Sequence, residues 1–95
     1  MPKVLGVPQD YKEAVKWWKL SAEQGTANSQ FNLGAMYNNG QGVPQDYALA
    51  HMWFNLAGSN GYKSAGKNRD IIEKRMSPSQ IEKAQEMARN WKPKK

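Results

Sequence analysis

The stretch Asn32–Tyr47, NLGAMYNNGQGVPQDY, decides the fold, because its last six residues repeat an earlier hexapeptide. GVPQDY stands at Gly6–Tyr11 and again at Gly42–Tyr47, 36 residues apart in a chain of 95. Self-similarity at a fixed period of about 20–50 residues is the signature of stacked repeats, in which each unit buries its apolar face against its neighbours. Shifting the chain by 36 pairs Ala14 with Ala50, Trp17 with Trp53, Trp18 with Phe54, Leu20 with Leu56 and Gly25 with Gly61.

Around that stretch the apolar residues recur at helical spacing. Asp10 and Asp46 read as N-caps, and Glu13, three residues after Asp10, completes a capping-box pattern. The first helix is expected from about Asp10 to Gln24, with Tyr11, Ala14, Val15, Trp18 and Ala22 facing inward and Gly25 as its stop. A second fits Asn28–Asn38. Gly34 in its interior costs about 1 kcal/mol relative to Ala, so a neighbouring helix is expected to approach closely there. Asn39-Gly40-Gln41-Gly42 reverses the chain, and a third helix follows to about Ser59 with Tyr47, Ala50, Trp53, Phe54 and Ala57 on its apolar face.

Past Gly61 the register fails, since Leu33-Gly34 would correspond to Arg69-Asp70. A fourth helix fits Lys63–Met76, with Ala65, Ile71 or Ile72, and Met76 inward. Ser77-Pro78-Ser79-Gln80 is a strong start signal for a fifth, which runs to about Asn90 with Ile81, Ala84, Met87 or Ala88, and Trp91 in line. Lys92–Lys95 reads as a solvated tail. The expected organisation is helical repeats over 1–61 (a half repeat 6–25 and a full repeat 26–61), capping helices over 62–91 and a basic tail over 92–95.

Composition narrows the function. Cysteine is absent, which excludes a disulfide framework and a thiolate zinc site. No apolar run approaches the roughly 18 residues of a membrane span, and no leader-like segment opens the chain as given. The expected compartment is therefore the cytoplasm, or the periplasm if the chain is a piece of a longer one. The net charge of +6 lies wholly in the last third: residues 1–62 balance, whereas residues 63–95 hold ten Lys or Arg against four acids.

Residues for catalysis are scarce. His51 is the only histidine and occupies the position of Val15 in the earlier repeat, so it reads as an ordinary helix residue. Neither GxSxG nor GxxxxGK[ST] occurs, and Gly40 and Gly42 belong to turn chemistry. The carboxylates of Asp10 and Asp46 are explained by capping. No catalytic residue, cofactor or metal ligand is expected.

With NLGAMYNNGQ before it and AxxWF or AxxWW after it, GVPQDY resembles the SEL-one-like repeat family (SLR), relatives of the tetratricopeptide repeats with two antiparallel helices per unit. Leu33, Gly34, Tyr37, Gly40, Gly42, Val43, Pro44, Asp46, Tyr47, Ala50, Trp53, Ala57 and Gly61 stand where that family carries its apolar, small, aromatic and turn residues. Arg75–Ile81 resembles the closing turn of bacterial members. Ser29 departs from the usual Ala, and nothing between Met1 and Leu5 resembles the leading helix of a first repeat. The resemblance implies an all-α, short right-handed α-solenoid of about five helices in antiparallel pairs with a C-terminal helical cap.

It also implies a non-catalytic adaptor that binds a protein or peptide on the concave surface lined by the first helix of each pair. In this chain the candidates are Asn28, Phe31, Asn32, Ala35 and Asn39, because amide side chains can both donate to and accept from a peptide backbone. The uncovered first helix suggests a homodimer through Trp17 or Trp18. A basic C-terminal face binding nucleic acid or another anionic surface is the alternative. Asp70, Glu73, Glu82 and Glu86 interrupt that face and no aromatic stacking motif accompanies it, which makes nucleic acid the weaker reading. A hydrolase is weaker still, for want of a nucleophile and a base.

Overall fold

Asp46 and Ser77 show how local sequence starts a helix in this chain. Asp46 has extended backbone, and its carboxylate accepts from the Leu49 N–H at 3.1 Å. Ser77 and Gln80 form a reciprocal capping box, each side chain accepting from the other's backbone N–H, with Pro78 opening the helix. The computed structural model describes residues 8–94, with side chains from Tyr11 onward. Its elements are α1 (Pro8–Glu23), α2 (Ala27–Asn39), α3 (Tyr47–Ser59), α4 (Ala65–Glu73) and α5 (Pro78–Asn90). Among the described residues there is no strand, and the architecture is a short helical solenoid with a helical cap.

Over the described residues of the first GVPQDY copy, Pro8–Tyr11, the two copies adopt different backbones. In the second, Pro44–Asp46 is non-helical and held by tertiary bonds: the Asp46 N–H donates to the Tyr37 carbonyl at 3.0 Å, and the Gln45 amide to the Asn38 carbonyl at 2.8 Å. In the first, α1 already begins at Pro8, two residues before the expected start. A proline suits a first helical turn because it has no N–H to leave unpaired. Asp10 therefore lies inside the first turn rather than at the N-cap position expected for it, and its side chain is outside the described residues.

Helix α3 is the central element and packs on α2, α4 and α5. One side of it contributes Met52 and Trp53 to a core with Val15, Ala22, Leu33 and Met36; the other contributes Ala48, Ala50 and Phe54 to a core with Ile72, Met76 and Ala84. The close approach expected at Gly34 is present: a Cβ there would lie 2.9 Å from the Phe54 ring and 3.3 Å from the Ala50 carbonyl. Ser29 also has a reason to differ from Ala, since its hydroxyl donates to that of Ser21 at 2.8 Å.

Two expectations at the C-terminal end need revision. Helix α4 ends at Glu73 rather than Met76, and i→i+3 bonds from Lys74, Arg75 and Met76 tighten the chain before Pro78, which disfavours helix in the residue ahead of it. Ile72 is buried and Ile71 exposed, which decides between the two. The segment after Asn90 keeps solvated side chains at Lys92–Lys94 but is tied down by its backbone. Trp91 packs edge-on against Trp53 at 6.1 Å, and the Lys94 N–H donates to the Glu23 carbonyl at 2.7 Å.

Candidate partner-binding site

Helix α2 buries Ser29, Gln30, Leu33, Gly34 and Met36 against α1 and α3. Those positions leave the opposite side open, and Asn28, Asn32, Ala35 and Asn39 follow one another along it at spacings of four, three and four residues. Asn28 is exposed and Asn32 half-buried, and among the described residues no hydrogen bond occupies either amide. The Asn39 side-chain oxygen Oδ1 accepts from the Asn38 side-chain amide Nδ2 at 3.3 Å, so it enters the stripe partly engaged.

Phe31 and Ala35 differ from the asparagines. Both pack against the core that contains Phe54 and Ile72. The Phe31 ring stacks on Tyr62 with centroids 4.2 Å apart and planes 8° apart, and tilts against Phe54 at 5.4 Å. The stripe is thus two free amides beside a half-covered aromatic ledge. Nothing in the spacing of α2 marks Tyr62 as its neighbour; the signal available was only an aromatic directly after the Gly61 stop.

At the C-terminal end of α2, burial first, and then the carboxylates of Asp46 and Glu23, hold the Tyr37 phenol above the usual tyrosine range. Its ring packs against both cores, on the side of α2 away from the stripe.

The two tryptophans of α1 are separated by the fold. Trp18 packs on the first core, whereas Trp17 is 64% exposed and Leu20 beside it 54% exposed. The repeat counterpart of Trp17, Trp53, is only 5% exposed.

His51 is fully buried, with Nε2 2.6 Å from a Glu73 carboxylate oxygen. This bond ties α3 to α4. With the proton on Nε2, the imidazole donates to Glu73 and Nδ1 keeps a lone pair without a partner. A buried ring with this single partner is a structural tie, and no nucleophile lies on it. Sequence reasoning missed the tie because Glu73 is 22 residues away on a helix outside the repeat register. Among the described residues no three His, Cys, Asp or Glu side chains gather to hold a metal, and no helix is long and apolar enough to cross a membrane.

Among curated proteins none matches this sequence significantly. The family model for the Sel1 repeat matches residues 5–26 and 27–62, which together make up more than half of the chain. The first match takes in α1, and the second holds α2, the Gly40–Gly42 turn and α3, so the boundary between them falls at the start of α2. On the residues, the helix pair and this match together, the chain belongs to the Sel1 repeat family.

Proposed function

We propose that this chain is a non-catalytic scaffold that holds a protein or peptide partner along the open stripe of α2. Sel1 repeats generally mediate protein–protein interactions. The observation that carries the finer reading is the pair of unengaged amides, Asn28 and Asn32, on a helix whose other side is locked into the core. Each can donate to a peptide carbonyl and accept from a peptide N–H. Because the scaffold is already ordered, binding does not have to order it as well as the partner.

A photo-crosslinking side chain at position 32 would identify the partner, whose affinity is then measured by calorimetry. Asn32→Ala is expected to weaken binding by roughly two- to tenfold, the effect of one or two lost hydrogen bonds. Charge reversal at Lys74 and Arg75 is expected to leave it nearly unchanged. The opposite result, with affinity collapsing as salt rises, would transfer the function to the basic C-terminal face.

A second reading is favoured by Trp17 and Leu20: a second copy of the chain covers this face of α1. A contiguous exposed apolar patch above a few hundred Å2 is uncommon on a monomer. Light scattering is expected to show a dimer at low and high salt that becomes a monomer in Trp17→Glu. A monomeric wild-type chain at both salts would remove the interface.

A further inference from the structure

The crevice between α1 and α2 contains a filled slot. The Gln30 side chain is fully buried in it; its amide donates to the Ala22 carbonyl at 3.1 Å and its oxygen accepts from the Asn60 amide at 2.9 Å. The 36-residue offset, carried past Gly61 where the repeat pattern itself stops, sets Gly58 against Ala22 and Gly66 against Gln30, while Arg69 falls where the repeat has Leu33. The plug is gone.

The backbones of the two glycines come close, a Cβ on Gly58 lying 3.6 Å from the Gly66 nitrogen, and beside them a pocket of about 440 Å3 lies between α3 and α4, lined by Asn55, Gly58, Tyr62, Lys63, Gly66 and Arg69 among others. A Cβ on Gly66 would meet nothing nearer than the Arg69 guanidinium, 3.9 Å away. The Gly58 carbonyl accepts from the Gly61 N–H at 3.2 Å, just as the Ala22 carbonyl accepts from Gly25 at 3.0 Å. A carbonyl has two lone pairs. In the first crevice the second one takes the Gln30 amide; in the second crevice no described residue takes it.

The other arm of the slot is also provided for. Asn60 has no counterpart 36 residues on within the 95, but Lys63 and Arg69 stand at the pocket as donors. Arg69 uses Nη1 on Asn55 at 3.0 Å and Nε and Nη2 on Asp70, which leaves two of its five N–H groups free. Tyr62 forms one wall of the pocket and stacks on Phe31, so the pocket adjoins the α2 stripe.

We propose that this pocket takes the side-chain carboxamide of a glutamine from a bound polypeptide, by analogy with the slot that Gln30 fills from within the chain 36 residues earlier. The proposal rests on the reading that the partner is a polypeptide. A glutamate would satisfy the cations but would set a carboxylate oxygen, with no hydrogen to donate, against the Gly58 carbonyl. An alanine would leave the slot empty.

The test is a 15N NMR titration of the whole chain with the capped tripeptide N-acetyl-Gly-Gln-Gly amide and its Glu and Ala counterparts. Saturable shifts are expected at the Gly58, Gly61 and Gly66 amides with the Gln peptide, roughly tenfold weaker binding with Glu, and no saturation with Ala. Gly66→Gln, which refills the slot in a position open to a side chain, is expected to abolish the response. Lys63→Ala, at an exposed position, is expected to weaken it several-fold, and it decides the matter with the peptide series if Gly66→Gln does not fold. The proposal is overturned if those amides do not shift, if the three peptides act alike, or if Glu binds better. Shifts confined to Asn28–Asn39 would sink the pocket and leave the α2 reading standing. A Gln response at the pocket, with a partner indifferent to Asn32→Ala, would do the reverse.

Discussion

Replacing Gly42 with alanine is expected to destabilise the protein by about 2–4 kcal/mol, measured as a shift in a urea midpoint at unchanged slope. Two costs combine. Gly42 has φ of +75°, a left-handed conformation that costs an L-residue about 1–2 kcal/mol. A Cβ there would also lie 2.7 Å from the Tyr11 carbonyl oxygen and 2.8 Å from its carbon, so backbone rather than a flexible side chain must move. Gly61 is the control. Its φ is +106° with nothing within 4 Å of an added Cβ, so Gly61→Ala carries the conformational cost of about 1–2 kcal/mol alone. The test is the ordering: equal losses would mean that the turn after α2 does not press on α1. In a domain whose total stability is about 5–15 kcal/mol, the larger loss is a substantial share.

The second large effect is expected at Gln30. Its amide bridges the Ala22 carbonyl at the end of α1 and Asn60 at the end of α3, so one side chain on α2 locks the ends of both neighbours. Gln30→Ala leaves a cavity at a fully buried position and is expected to cost about 2–4 kcal/mol. Asn60→Ala leaves the Gln30 oxygen buried without its donor, at about 1–2 kcal/mol. In the double variant the losses are expected to fall short of their sum, because the Asn60 contact no longer exists once Gln30 is gone. Additive losses would show that the two ends are not joined through this amide.

Residues that act through local spacing were legible before any coordinates. The repeat, the Asp46 and Ser77 caps, the Gly25 and Gly61 stops and the close approach at Gly34 all depend on neighbours within one or two helices of the same unit. The candidate site was only half legible. Asn28 and Asn32 follow from which side of α2 is buried, but the stacking of Phe31 on Tyr62 joins positions 31 residues apart in the chain, and no periodicity encodes it. The same holds for His51 and Glu73, where a position matching Val15 became a polar tie because the helix packed on it is not a repeat helix. The different backbones of the two GVPQDY copies carry the same lesson. Asp46 and Gln45 are held by the Tyr37 and Asn38 carbonyls, and identical local sequence yields to those bonds.

A linear array of repeats frays from its ends, because each terminal unit has a neighbour on one side only. The segment from Trp91 to Lys94 alters that arrangement by laying the far end of the sequence against Trp53 and the last turn of α1. The first helix thereby depends on contacts that span about 70 residues of chain. Such long closures slow folding, since loop entropy must be lost before the contact forms. They also make melting more nearly all-or-none, so the chain should behave less like a row of beads than like a clasped bracelet.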